Sequence, residues 1–395
     1  MSFAATILHY YENPGMDRVL ARVTGLSSDG LSVQLDATLF YPEGGGQPCD
    51  GGRLGGISLE SVTEEEGQIV HRLALPLAAM PGDEVELELD RGRRRDHSEQ
   101  HSAQHLLSGI LFRDSGIATR SFHLGNARST IDVDADLSSF GDDSMLRLDS
   151  AVDALVAEGR RFVIHRCPPE DIASLPLRKA PPRGKGEIRV VEIEGLDHSP
   201  CSGTHVPDAA RLGLVRVVGA ERYKGMTRLS FVAGGRAARE FSRLHMAVRD
   251  ASRQLSAPPG KLAEEAGRLL AKLASEGIRS RILLSAWARL AVASALARGS
   301  PFPLVEADDA GPGGLEACLE ALREAEAAGL VAHREGLAVG LMAGRGSVIP
   351  GAIPSILSQF GGKGGGVGGR FRGVFPDKAA LDGFLRNALV ELERT

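Results

Sequence analysis

His97, His101 and His105 recur every four residues, a spacing that projects all three imidazoles from nearly one face of a helix. Helical neighbours four apart lie about 5–6 Å apart at Cβ, so two of them can chelate one divalent ion. The zinc-peptidase signature uses the same pair but requires a glutamate directly after the first histidine. Ser98 and Ser102 fill that slot here, which disfavours a peptidase. About a hundred residues downstream, Pro200-Cys201-Ser202-Gly203-Thr204-His205 offers a thiol and an imidazole four apart with a glycine between them. Such a loop can wrap an ion, and mixed nitrogen and sulfur donors suit zinc. Spacing alone does not choose between His97–His101 and His101–His105. It also leaves two plainer alternatives, a solvated histidine face and Cys201 as a buried apolar filler.

A third group is Phe40-Tyr41-Pro42-Glu43-Gly44-Gly45-Gly46-Gln47-Pro48. Successive glycines let a loop approach a ligand and turn its N–H groups inward, although a tight β-turn would need them equally. No carboxylate stands out as a general base; Glu43 qualifies by position only.

The elements that must position these groups follow from periodicity. Residues 1–91 alternate apolar and polar side chains around Gly-rich turns, as in Val19–Val23, Leu31–Leu35 and Val85–Asp90, and predict a small β-barrel. The basic run Arg91-Gly92-Arg93-Arg94-Arg95 precedes a predicted helix start at Asp96, with Glu99 completing a capping box before Leu106, Leu107, Ile110 and Leu111. Residues 92–235 then mix a second helix near Asp149–Glu158 with strands at 162–164, 188–193, 214–218 and 229–232, an α+β pattern. Residues 236–395 open with a predicted antiparallel helical pair striped by Phe241, Leu244, Val248 and Leu255, then Leu262, Ala266, Leu269, Leu270 and Leu273. These stripes are expected as core, with a dimer contact as the other use. Alternating strands and helices follow, around a Gly-rich loop at Gly361–Gly366. The fold class expected is therefore α+β in three parts.

Composition narrows the function classes. Lys plus Arg is 46 against 51 Asp plus Glu, a net charge of −5, so nucleic acid could be held only by local basic patches. Aromatics are 5%, too few for an extended base-stacking platform. Cys49, Cys167, Cys201 and Cys318 are scattered, which reads as free thiols in a reducing compartment. With no signal-peptide pattern at Met1–Pro14 and no spanning apolar run, the expected location is the cytoplasm.

Taken together, Phe40-Tyr41 with Gly44-Gly45-Gly46-Gln47, His101-Ser102-Ala103-Gln104-His105-Leu106-Leu107, and Cys201-Ser202-Gly203-Thr204-His205 resemble the editing module of alanyl-tRNA synthetases. The chain looks most like the freestanding alanyl-tRNA editing proteins, the AlaX group, in their long form. The resemblance covers roughly residues 1–235 and extends more weakly over 236–395. It implies one zinc ion per chain held by His101, His105, Cys201 and His205, leaving His97 as a helix residue or a phosphate contact. The implied activity is hydrolysis in trans of the serine ester, and in many members the glycine ester, of tRNA(Ala). A pocket selecting small side chains by size gains only about 1–3 kcal/mol per group, so a second, polar test of the serine hydroxyl is chemically reasonable. Thr38 resembles the residue that would supply it, while Gln47 and the N–H groups of Gly44, Gly45 and Gly46 would hold the ester or a developing oxyanion.

Basic clusters flank these motifs: Arg91, Arg93, Arg94 and Arg95; Arg178, Lys179, Arg183 and Lys185; Arg222, Lys224 and Arg228. Together they form an expected phosphate track for an acceptor stem. The segment Gly361–Gly366 with Gly368-Gly369-Arg370-Phe371 resembles the Gly-rich part of the domain that ends alanyl-tRNA synthetases and helps assemble chains there, so a homodimer through the C-terminal region is a further expectation. Synthetase catalytic domains would precede the editing module, and none is visible before the barrel. Two other readings stay open: a non-catalytic tRNA-binding protein with a structural zinc, and a zinc hydrolase of small molecules.

Overall fold

The alternating segments fold as strands whose apolar faces meet inside a barrel. In this computed structural model, which describes residues 6–181, 187–367 and 369–393, the pairing order is Arg18–Leu26, Ser32–Leu35, Gln68–Leu73, Ile57–Glu65, Gly52–Leu54 and Glu84–Leu89. The last strand pairs back onto the first and closes the circuit. Val23, Val33, Leu35, Leu54, Val62, Leu73 and Leu87 fill the interior, with Leu39 and Phe40 packed among them.

A polar pair, His71 and Thr38, is sealed in with them. His71 lies 3.1 Å by Nδ1 from the carbonyl of Val33, so Nδ1 carries the proton and Nε2 accepts from the Thr38 hydroxyl at 2.8 Å. Burial pushes the His71 pKa from 6.5 down to about 4. The unfolded chain therefore takes up a proton near 6.5 that the folded chain refuses until about 4. Stability is complete above 6.5 and is lost as pH falls towards 4, by about 3 kcal/mol. Thermal unfolding across this window should show a steeper acid loss for the native sequence than for His71→Gln; parallel curves would contradict the assignment.

The long helix begins earlier than the capping box at Asp96 predicts. It runs Arg91–Ser115, because Asp90 caps it by accepting from the amide of Arg93 at 3.0 Å and arginine is a good helix former. Asp96 lies inside the helix and pairs with Arg236, and Glu99 accepts from the amide of Gly235 at 3.1 Å, capping the helix Gly234–Leu255 instead. Gly116 ends the long helix in the left-handed region at φ 67°. Ala103, Leu106, Leu107 and Ile110 turn into a core shared with Val152, Val191, Ile193, Leu229 and Phe231. Two sheets supply the rest of that core: Val215–Tyr223, Met226–Ala233, Ser129–Val133 and Thr119–Leu124 in one, Phe162–Cys167, Ile188–Ile193 and Asp197–Pro200 in the other. The helix expected near Asp149–Glu158 spans Asp142–Glu158.

The chain divides into two compact units, Met1–Arg249 and Asp250–Thr395. In the second, strands Leu304–Glu306, Gly329–His333, Ala338–Met342, Arg370–Val374 and Lys363–Val367 form one sheet with helices Gly314–Glu324, Ile353–Gln359 and Lys378–Glu393. The glycine run expected as a loop is in large part a strand. A Cβ on Gly364 or Gly366 would meet the carbonyl oxygens of Arg372 at 2.0 Å and Arg370 at 2.2 Å, so the close pairing demands glycine. Gly368 lies outside the described residues. The helical stripes are not core: Phe241 and Leu244, on the helix Gly234–Leu255, and Leu270 and Leu273, on the helix Leu262–Leu296, all stay exposed. The class is α+β, and no helix among the described residues is long and apolar enough to cross a membrane.

Candidate metal centre and its recess

Two elements bring the ligand-type residues together. The long helix carries His101 and His105 one turn apart, and the strand Asp197–Pro200 runs out into the loop carrying Cys201 and His205. Their donor atoms all lie within 4.8 Å of one another. Cys201 Sγ is 3.3 Å from His101 Nε2 and 3.4 Å from His205 Nε2. A tetrahedral zinc with bonds of about 2.0–2.1 Å to nitrogen and 2.3 Å to sulfur has nitrogen–sulfur edges of roughly 3.6 Å, so the residues fit that ion. The structure holds His97 outside this group; it is buried on the same helix face with Nδ1 unpartnered. Burial is also the main reason its pKa is lowered.

Each imidazole is aimed from behind. His101 Nδ1 sits 2.8 Å from Gln47 Oε1, and Ser102 Oγ lies 3.2 Å from His205 Nδ1. His105 Nδ1 faces the Asp197 carboxylate at 3.6 Å, and Arg178 holds that carboxylate by two hydrogen bonds. Gly109 lets the strand come that close, since a Cβ there would touch Leu196 and Asp197 at 3.0–3.1 Å. Such outer partners fix ring orientation and tautomer in metal sites.

The electrostatics match a thiolate among imidazoles. Burial opposes ionisation of Cys201, but the neighbouring His101, His205 and His105 outweigh it and hold the thiol well below its usual value. Burial dominates at His205 and pushes it down to about 3. At His105 burial is outweighed by Cys201 and Asp197 together, which raise it. Asp197 is held at about 2 because His105 and Arg178 overcome its burial.

The Gly-rich segment forms a hairpin turn. Gly44 and Gln47 exchange both backbone hydrogen bonds at 3.0 Å, with Gly45 and Gly46 between them at φ 57° and 82°. Two successive positive φ values are the geometry that favours glycine in a tight hairpin. The N–H of Gly44 is thereby consumed within the turn, while Gly45 and Gly46 line an open recess of about 910 Å³ beside His101, His105 and Cys201. Gln47 is engaged within the protein. Its Oε1 takes His101 and the amide of Thr204, and its Nε2 donates to Thr204 Oγ1 at 3.0 Å. Thr38 is not brought to the recess: its hydroxyl donates to His71 and accepts from the amide of Phe40 at 3.1 Å, within the barrel core.

The basic residues separate into two kinds. Arg94 is buried against Asp50, with a further hydrogen bond to the carbonyl of Leu39 at 2.7 Å, and is unavailable to phosphate. Arg228 pairs with Asp132 and lies over the Tyr223 ring. Arg93, Arg95 and Lys224 are exposed. Arg183 and Lys185 lie outside the described residues. The recess itself is lined by Arg120, Arg166, Lys179 and Arg189, of which only Lys179 belongs to an expected cluster. Arg189 sits between the buried Ile188 and Val190 on its strand, whereas Arg166 has no such neighbours to mark it.

Comparison with known proteins agrees with the resemblance to alanyl-tRNA editing proteins. Residues 188–230, which include Cys201 and His205, match the family described as the threonyl and alanyl tRNA synthetase second additional domain. This stretch is thus similar to a domain type found in tRNA synthetases. Its homologues include proteins named alanyl-tRNA editing proteins. It is 35% identical over 210 residues to alanyl-tRNA editing protein Aarsd1 of Danio rerio, covering 52% of this chain and 50% of that one. It is 32% identical over 265 residues to alanyl-tRNA editing protein AlaX-L of Pyrococcus horikoshii, covering 64% and 63%. Alanine–tRNA ligase of Pyrococcus abyssi is 32% identical over 273 residues, 66% of this chain and 29% of the ligase. The chain spans about half the length of the first of these relatives.

Proposed function

We propose that the protein is a trans-editing hydrolase that cleaves the ester of serine, and of glycine, from mischarged tRNA(Ala). One observation carries this reading: His101, His105, Cys201 and His205 converge beside a recess edged by the Gly45-Gly46 turn and by cations, in a chain homologous to editing proteins. We assign one zinc ion per chain to those four residues. Zinc bound there would supply positive charge to polarise an ester or ribose oxygen. The Gly45 and Gly46 backbone lines the same recess as the cations and is the part of the turn left to meet the ester. Gln47, Ser102 and Asp197 keep the three rings in place, and Phe122 covers the His101 ring at a centroid distance of 4.8 Å.

The exposed Phe241, Leu244, Leu270 and Leu273 support the further proposal that two chains associate through the C-terminal region.

A second reading has one observation in its favour. Four protein donors are as many as a closed structural zinc site uses. The protein would then bind tRNA without cleaving it. Cys201→Ala separates the two. If the editing reading holds, purified native protein releases serine from Ser-tRNA(Ala) and Cys201→Ala loses at least about a hundredfold in rate, by analogy with the effect of disturbing a catalytic metal site. A native protein that binds this tRNA but releases no serine supports the structural-zinc reading.

A further inference from the structure

Arg166 on the strand Phe162–Cys167 and Arg189 on Ile188–Ile193 are direct register partners, and both line the recess beside Cys201. Like charges directly opposite on antiparallel strands destabilise the pairing. Neither arginine has a carboxylate partner among the described residues, unlike Arg120 at the same recess, which is paired with Asp134. Lys179 adds a third cation without an ion pair among the described residues, and the one acidic residue of the lining is the exposed Glu187.

Arg189 is nonetheless held in place. Its Nη1 donates to the Cys201 carbonyl at 2.8 Å, and its guanidinium lies 4.8 Å from the centre of the Tyr11 ring, whose hydroxyl donates to the Ser202 carbonyl at 2.5 Å. One of five guanidinium N–H donors is thus used by the protein, and the planar fork that remains suits a phosphate's oxygens.

We propose that Arg189, backed by Arg166 and Lys179, binds a phosphodiester of the substrate strand next to the metal centre and so fixes which end of that strand enters the recess. The proposal rests on the ester-hydrolase reading of the same site and names the group that reading leaves unassigned. It predicts that substrate is selected by its terminal phosphodiester, and that the exposed Arg93, Arg95 and Lys224 are secondary to this contact.

The test compares two seryl esters, one on adenosine alone and one on a short RNA stem ending in CCA. Native protein should prefer the RNA ester in kcat/KM. Arg189→Gln should shrink that preference about tenfold through KM, the loss of one charge-assisted contact, with partial recovery in Arg189→Lys. The slope of log kcat/KM against log salt for the RNA ester should become shallower by about one. An unchanged preference, an equal loss on both esters, or a fall in bound zinc would overturn the proposal and make Arg189 a brace for the Cys201 loop. If native protein cleaves neither ester, the hydrolase reading fails, and affinity for the uncharged RNA stem decides instead. Weaker binding by Arg189→Gln upholds the phosphodiester contact, and equal binding overturns it.

Discussion

Gly203→Ala should weaken zinc binding at the proposed metal site while leaving the rest of the fold standing. A Cβ at residue 203 would lie 2.1 Å from Cε1 and 2.2 Å from Nδ1 of His101, and 2.8 Å from Oε1 of Gln47. Neither neighbour can move freely. The His101 ring is tied to Gln47 and Cys201 and backed by Phe122, and Gln47 is tied in turn to Thr204. The methyl group must displace the ring, break the Gln47 contact and spoil two donors at once. Losing one outer partner of a metal ligand typically weakens affinity about 10–100-fold, so zinc affinity should fall by at least that much. Competition with a chromophoric chelator reads this directly, and circular dichroism checks that the fold persists. Native zinc affinity in Gly203→Ala would mean that the ligand loop sits elsewhere.

Arg94→Met should produce the largest loss of folding stability of any exchange in the basic run. Arg94 spans from the first turns of the long helix to Asp50, with Nε at 3.0 Å from both carboxylate oxygens and Nη2 at 2.5 Å from Oδ2. The Asp50 side chain is fully buried and also accepts from the amide of Tyr41 at 2.6 Å. Removing one partner of a buried pair leaves an uncompensated charge and costs about 3–5 kcal/mol. Arg94→Met with Asp50→Asn should recover part of that, because the stranded charge is gone. Urea unfolding of the single and double variants measures both effects; a single-variant loss under about 1 kcal/mol would contradict the bridging role. The pair also joins the long helix to the segment that follows the Gly-rich turn, so the loss should reach the recess.

Much of this site can be read from residue type and order. The α+β class follows from alternation and the glycine turn from residue type, whereas spacing leaves His97 open and the set His101, His105, Cys201 and His205 comes from the family resemblance. Direction is what local sequence hides. Thr38 stands next to the motif, yet it is His71, thirty-three residues away, that claims its hydroxyl. Arg94 looks like Arg93 and Arg95 until the helix places it over Asp50. Asp96 and Glu99 have capping-box spacing, but the helix begins at Arg91 and both carboxylates serve the start of another helix. Gln47 resembles a substrate group and proves to aim His101. In each case a partner distant in sequence decides the role, and no window along the chain contains it.

The most direct measurement is serine release from Ser-tRNA(Ala) by protein freed of metal with a chelator and then titrated with zinc, with Ala-tRNA(Ala) as the parallel substrate. Release should be absent without zinc, climb to a plateau at one equivalent per chain, and leave the alanine ester largely intact. Equal rates with and without metal, or cleavage of both esters alike, would contradict a zinc-dependent proofreading site at His101, His105, Cys201 and His205.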